Sequence, residues 1–302
     1  MVRQSGVKFE RTITIGRLDL LLTERILRQT FASFGEVMDE EEAKQTLFDA
    51  DRFAEPLFKR LGAATVDSLD ASGFEGATIV HDLNQPIPPS LACKFSLVFD
   101  GGTLEHVFDF PRAISNVMKL AAPGGHVIIS SPANNEMGHG FYQFSPDLFY
   151  RVFSPQNGYE LENLFLVPAY TSDPRWYRVW DPAKVGSRVG YNHGSVPLHL
   201  YAIARKVETV PLFSRPPQQQ DYSVEWVNRA GKAAEHSRLQ WFDDITARAE
   251  KDYRRFRRLK RLLRSLAPPP VRNWGYGLRQ TRQAMQSPNP AHFEPYLLPP
   301  VV

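Results

Sequence analysis

Apolar runs and amphipathic stretches alternate along most of the chain. RTITIGRLDLLL opens with alternating β-branched residues from Thr12 to Ile15 and then Gly16, which predicts a short strand ending in a turn. Residues 23–60 follow a helical pattern interrupted near Phe34-Gly35. Its second part begins with several acids, runs into an apolar stripe and stops at Gly62. TVDSLDAS, GATIVHDLN and KFSLVFDGG then repeat one design, an apolar run closed by an acid: Asp70, Asp82 and Asp100. Phe110 to Ala122, entered through Pro111, predicts a helix that Pro123-Gly124-Gly125 stops, and HVIISSP predicts a buried strand. Ser145-Pro146-Asp147 starts another helix, with a hydroxyl cap and proline at the first helical position. ELENLFLVPAY and VPLHLYAIARKV predict two further strands, the 198–206 strand among them.

Strands alternating with helices between 62 and 153 predict an α/β architecture, a doubly wound, mostly parallel sheet with helices on both faces. In such a sheet ligands bind beyond the carboxyl ends of the strands, and Asp70, Asp82 and Asp100 all fall there. A carboxylate closing a strand can accept from both hydroxyls of a ribose, a role open to Asp70. The other reading of Asp70 is a turn cap for Ser72. Asp82 meets an adenine amino group or makes an Asx-turn toward Asn84. Asp100-Gly101-Gly102 leaves backbone accessible to a ligand.

Composition narrows the class. With 302 residues, 42% apolar and 23% charged, the chain is neither wholly disordered nor a fibre. The single cysteine, Cys93, excludes an internal disulfide framework. No stretch reaches the length of a membrane span and the N-terminus lacks an apolar signal core, so a cytoplasmic location is expected. Charge is uneven: Arg248 to Arg264 carries an excess of +7, while the rest of the chain is −4. Two units are expected: residues 1–210, with a helical insertion at about 23–60, and residues 211–302, a basic helical extension with a loose, proline-rich tail. Within the extension Tyr253, Phe256, Leu259, Leu263 and Leu266 form an apolar stripe ringed by arginines. Docking on the protein's own body ranks first for it, and Trp226 and Trp241 upstream suggest docking or self-association. Contact with an anionic membrane surface through Arg254–Arg264 comes next, and nucleic acid last, since no recognised motif accompanies it.

The stretch FSLVFDGGTLEHVFDFPRAISNVMKLAAPGGHVIISSP resembles the fourth and fifth strands of class I S-adenosylmethionine-dependent methyltransferases of the type 11 kind. Leu104-Glu105-His106-Val107 and Pro123-Gly124-Gly125 carry the likeness. VDSLDAS and HDLN resemble that family's second and third strands with their ribose-side and adenine-side acids. The resemblance implies a Rossmann-like fold with the 198–206 strand antiparallel, and S-adenosyl-L-methionine as cofactor, held by Gly16, Asp70, Asp82, Asp100 and Gly101. It also implies methyl transfer to a small-molecule or saccharide-like acceptor. The family's glycine-rich loop is degenerate here: residues 45–60 hold no glycine, and Gly16-Arg17 is the one candidate.

Displacement at an activated sulfonium methyl needs alignment and a deprotonated acceptor more than elaborate machinery. His106 after the fourth strand, and His139 and Tyr142 in PANNEMGHGFYQFSP after the fifth, are the candidate catalytic residues, with structural turn roles as the plain alternative. No histidine pair has metal-ligand spacing, so no metal is expected. A second reading is a catalytically silent binding or scaffold protein of the same fold. A nicotinamide-dependent oxidoreductase ranks below both, for want of G-x-G-x-x-G.

Overall fold

The computed structural model describes residues 6–49, 51–171, 175–185, 189–191, 195–219 and 293–296. Arg248 to Arg264, Trp226 and Trp241 lie outside these described residues. The strands are β1 (Arg11–Ile15), β2 (Thr65–Asp70), β3 (Ile79–Val80), β4 (Phe95–Asp100), β5 (Ala121–Asn134), β6 (Tyr159–Pro168), β7 (Trp176–Val179), β8 (Leu198–Lys206) and β9 (Phe293–Tyr296). They form one sheet in the order β3-β2-β1-β4-β5-β8-β6-β7-β9. From β3 to β5 every pairing is parallel, and β8 is antiparallel to both β5 and β6. The chain moves outward from β1 to β2 and β3, then returns to the other side of β1 with β4, so the direction of winding reverses between β1 and β4. That reversal opens a crevice at the carboxyl ends of these two strands.

Helices cover both faces. On one lie α1 (Glu24–Ser33), α2 (Glu40–Phe48) and α3 (Glu55–Arg60), the stretch expected as an insertion. Thr23 and Asp39 cap α1 and α2 by accepting from Ile26 and Glu42 N–H groups. Leu27, Phe31, Leu47 and Phe58 pack this layer onto Leu97 and Ile128 of the sheet. On the opposite face α4 (Phe110–Leu120) and α5 (Pro146–Val152) bury Ile114, Val117, Phe149 and Val152 against Val98, Val127 and Ile129. A short helix α6 (Pro182–Val185) follows β7. Successive residues of β4 and β5 thus feed two separate apolar layers, which is why their sequences are nearly continuous apolar runs.

Three local expectations change. The Ser145 side chain makes no cap bond; Leu148 N–H is taken by the Ser145 carbonyl instead, at 3.2 Å. Pro123-Gly124-Gly125 does not separate helix from strand. Phe95 pairs with Ala121 and Leu97 with His126, so residues 122–125 bulge out of β5 opposite Ser96. Residues 293–296, in the tail expected to be loose, pair with β7, and Phe293 enters the core.

Among the described residues, no helix is long and apolar enough to cross a membrane. Beneath α1 and α3 the packing leaves a cavity of about 460 Å³, lined by Phe9, Leu27, Phe31, Phe58, Leu97 and Phe99 among others. None of the strand-end acids lines it, and its lining is apolar but for Thr30 and Glu36.

One buried titratable group predicts a pH response. His126 on β5 is buried, with Nε2 3.4 Å from Glu162 on β6, whose other oxygen accepts from Arg205 on β8. Burial pushes the imidazole pKa below its ordinary value; Glu162 pulls it up, and Arg205 adds to the lowering. The unfolded chain therefore binds this proton first as pH falls. Stability from His126 is complete above about pH 6.5 and drains away below it, down to the depressed folded value. Denaturant midpoints at about pH 7.5 and pH 5.5 will differ less in His126→Leu than in the native chain. Equal pH slopes in both would remove His126 as a source.

Candidate functional site

The crevice is built from four strand exits. After β1 the chain turns at Gly16, whose φ of +75° lies in the left-handed region that favours glycine. Gly16 N–H donates to the Leu69 carbonyl at 2.8 Å, locking this turn beside the end of β2. A Cβ at Gly16 would stand 2.9 Å from Thr103 Oγ1 and 4.0 Å from Asp70 Oδ2. The ends of β1 and β2 and the turn after β4 therefore meet at one point. Asp70 Oδ1 accepts from Ser72 N–H at 2.9 Å, the turn cap that sequence allowed, while Oδ2 faces Gly16. Of the five expected cofactor residues, Gly16 and Asp70 are brought together where the winding reverses, Gly16 buried and Asp70 half-buried.

The other three sit differently. Asp100 ends β4 opposite Ile15, but its carboxyl is fully buried and turned into the protein. Oδ1 accepts from Thr103 N–H at 2.9 Å, and Oδ2 has no hydrogen-bond partner. Burial first, and the charge of Glu105 second, push its pKa up to about 8, against the backbone N–H groups of Thr103, Gly102 and Leu104. The turn after β4 folds back over the strand end and takes the carboxyl, so Asp100 closes a turn rather than facing a ligand. Gly101 is exposed, but a Cβ there would meet Leu18 Cδ2 at 2.8 Å; the close approach it allows is made by Leu18. Asp82 is exposed and makes the Asx-turn, accepting from Asn84 N at 2.9 Å and from Nδ2 at 2.8 Å. These bonds hold its carboxyl below the ordinary value.

Where a glycine-rich loop was sought, the exit of β1 is tied down by other means. Leu20 N–H donates to the Arg52 carbonyl and Ala54 N–H to the Leu18 carbonyl, at 2.7 and 2.8 Å. Arg17 then spans the crevice wall. Its guanidinium lies 3.9 Å from the Phe53 ring centroid, Nε donates to Glu55 at 2.8 Å, and Nη1 donates to the Glu75 carbonyl at 2.6 Å. Arg17 entered the sequence reading only as the neighbour of Gly16 in the candidate loop, with no role of its own.

Next to the crevice, the turns after β4 and β5 form a second polar centre. Leu104–His106 is a 3-10 turn in which Glu105 is buried, with Oε2 accepting from Ser131 Oγ at 3.2 Å. Phe141 and Tyr142 N–H groups both donate to the Glu105 carbonyl, at 2.7 and 3.2 Å, and Gly140 packs directly on that carbonyl. This stitching lays the loop after β5 over Glu105. His139 Nε2 comes to 3.4 Å from Glu105 Oε1, and the rings of His106 and His139 lie 4.9 Å apart. One donor atom from each of Glu105, His106 and His139 lies within 4.8 Å of the others. Histidine spacing along the sequence does not reveal this cluster, because the groups converge from two loops. Tyr142 is drawn away: its hydroxyl donates to the Phe108 carbonyl at 2.6 Å. Asn134 and Asn135 shape the loop, Asn134 Oδ1 accepting from Asn135 N–H and Asn135 Nδ2 donating to the Val196 carbonyl. Exposed Phe108 and Phe141 meet edge to face at 6.0 Å and form an apolar lip, whereas Phe144 belongs to the core.

No family model matches this chain, and no curated protein sequence does either. Solved structures similar to it include a TehB-like SAM-dependent methyltransferase from Corynebacterium glutamicum, 15% identical, covering 68% of this chain and 85% of that one at a TM-score of 0.34. A second is an S-adenosylmethionine-dependent methyltransferase from Mesorhizobium loti, 15% identical over 66% of this chain and 92% of that one, TM-score 0.36. A third is the 16S rRNA (adenine(1408)-N(1))-methyltransferase from Catenulisporales acidiphilia, 12% identical over 69% and 93%, TM-score 0.35.

Proposed function

We propose that the chain is an S-adenosylmethionine-dependent methyltransferase acting on a small-molecule or saccharide-like hydroxyl acceptor. The observation that carries this reading is the meeting of Gly16 and Asp70 Oδ2 at the point where the sheet reverses its winding. A nucleoside there would lay its ribose hydroxyls against the free oxygen of Asp70 and its chain along the Gly16 turn. S-adenosylmethionine held by Gly16 and Asp70 would supply a methyl on a positive sulfur to the acceptor oxygen, the carbon–sulfur electron pair going to sulfur as a neutral thioether. The protein's part is placement. Arg17 fixes the wall on the β2 side, and Leu18 covers Gly101. On the acceptor side Phe108 and Phe141 offer apolar faces to a ring, and Glu105, His106 and His139 mark where the acceptor's proton is given up. The half-exposed face of His139 lets that proton pass on to solvent.

Calorimetry with S-adenosylhomocysteine tests the reading directly. The purified chain is expected to bind it, and Asp70→Ala to weaken binding by about 1.5–3 kcal/mol, roughly 10- to 150-fold, as for a lost hydrogen bond to a charged group. No heat from the native chain, or an unchanged affinity in the variant, would remove the nucleoside site and favour a silent scaffold of the same fold.

A further inference from the structure

We propose that Glu105, His106 and His139 bind a divalent first-row transition-metal ion, of the zinc or cobalt type, with coordination positions left open toward the Phe108–Phe141 lip. The geometry is suited to it. Two ligands each about 2.1 Å from an ion stand roughly 3–3.5 Å apart. His139 Nε2 and Glu105 Oε1 are 3.4 Å apart, and the third donor atom falls within 4.8 Å of both. The 3.4 Å separation lies within that range, and the His106 donor, within 4.8 Å, has to move closer to complete the site.

The charge balance points the same way. Glu105 is a carboxyl group at 1% exposure. Among the described residues it has only Ser131 Oγ and the neighbouring imidazole edge as side-chain partners. Buried carboxylates are ordinarily paired with a cation or coordinate a metal. Neither Arg17 nor Arg112 fills that place. Arg17 is committed to Glu55 and the Glu75 carbonyl, and Arg112 lies on the exposed flank of α4. The two imidazoles select for zinc-like or cobalt-like ions over magnesium or calcium, which prefer all-oxygen sites. Backbone bonds from Phe141 and Tyr142 to Glu105 hold the two loops together before any ion arrives, so the site is preorganised.

For its role, though not for the binding itself, this inference rests on the methyltransferase reading. A hydroxyl coordinated in the open position loses its proton to solvent at lower pH than a free one, and its oxygen then attacks the methyl carbon as described above. The exposed cluster faces make that position reachable from the acceptor side.

The test uses the full chain, freed of metal by chelation and dialysis, and titrated with Zn(II) by calorimetry and with Co(II) by its visible absorption. One equivalent is expected to bind, with Co(II) bands of a low-symmetry nitrogen and oxygen site. Glu105→Gln and His139→Ala should each weaken binding by about tenfold to 100-fold or more. His81→Ala, whose ring bonds the Gln85 carbonyl and none of the three ligands, should leave it unchanged. His139 is an exposed loop residue, so its variant keeps the test valid even where Glu105→Gln folds poorly. Absence of one-equivalent binding, or equal affinity in His139→Ala, overturns the site. Ion binding without S-adenosylhomocysteine binding sinks the methyltransferase reading alone; nucleoside binding without ion binding sinks the metal site alone.

Discussion

Gly125→Ala is expected to destabilise the chain by about 3 kcal/mol, more than any other single methyl addition at the sheet's centre. The reason is space rather than backbone conformation. A Cβ on Gly125 would stand 2.9 Å from the carbonyl oxygens of Ala122 and Phe95 and 3.0 Å from that of Ser96. All three are main-chain atoms of the β4–β5 ladder, which have no rotamer to yield. The bulge exists because residues 122–125 must fit opposite Ser96 before pairing resumes at His126. Only a residue without a side chain passes through the point where the two strands close again. Gly124→Ala is the internal control. Its φ is +78°, but nothing lies within 4 Å of a Cβ there, so the cost is the left-handed backbone alone, about 1 kcal/mol. Chemical denaturation of both variants separates the two effects. Equal costs, or a Gly125→Ala cost near 1 kcal/mol, would mean that the ladder relaxes around the bulge.

The same bulge shows what the amino-acid pattern can and cannot convey. Pro123-Gly124-Gly125 reads as an interruption, and one is there, but as a detour inside β5. What ends α4 lies far away: Lys206 Nζ donates to the Ala121 carbonyl at 2.9 Å, and the Tyr159 hydroxyl donates to the Met118 carbonyl. These partners sit about 40 and 85 residues downstream, and no local signal announces them. Apolar patterns located β4 and β8, whose residues are mostly buried on both faces, and β1, whose β-branched residues alternate. By contrast β7 and β9 are four residues each and pair with one another across more than a hundred residues, so periodicity gives them nothing to detect.

The candidate site divides along the same line. Asp70 and Gly16 were legible because a strand end fixes where a residue stands in the sheet. Asp82 and Asp100 stand at strand ends too, but their side chains answer to the turns that follow, which bend toward Asn84 in one case and Thr103 in the other. Glu105, named only as part of the Leu104–Val107 likeness, was given no site role because an acid in a turn reads as surface, whereas the 3-10 turn buries it. Its signal was Leu104, an apolar neighbour with no exposed role. The cluster with His139 could not be read from spacing at all, since 33 intervening positions and two backbone bonds to Glu105 determine it.

Asn116→Ala carries the second large expectation, a loss of about 3–4 kcal/mol together with release of the connection between β3 and β4. Asn116 is fully buried on α4. Its Nδ2 donates to the carbonyls of Leu83 and Gln85 at 3.0 and 2.7 Å, and its Oδ1 accepts from Ile87 N–H at 3.2 Å. One side chain thus satisfies three main-chain groups in a segment that has no secondary structure of its own. Alanine removes all three bonds and leaves the Leu83 carbonyl and the Ile87 N–H without partners near the core, at roughly 1 kcal/mol or more each, while the Gln85 carbonyl keeps the His81 ring at 3.2 Å. Leu83 and Ile87 are buried on either side, so the segment does not simply swing out to water. The Asx-turn at Asp82 depends on Asn84, not on Asn116, and the ends of β1 and β2 are held by their own ladder. Hydrogen exchange should therefore rise at Ile87 and its neighbours while residues 11–15 and 65–70 keep their protection. A stability loss below about 1 kcal/mol, with exchange at Ile87 unchanged, would mean that the apolar anchors Leu83 and Ile87 hold the connection without the amide.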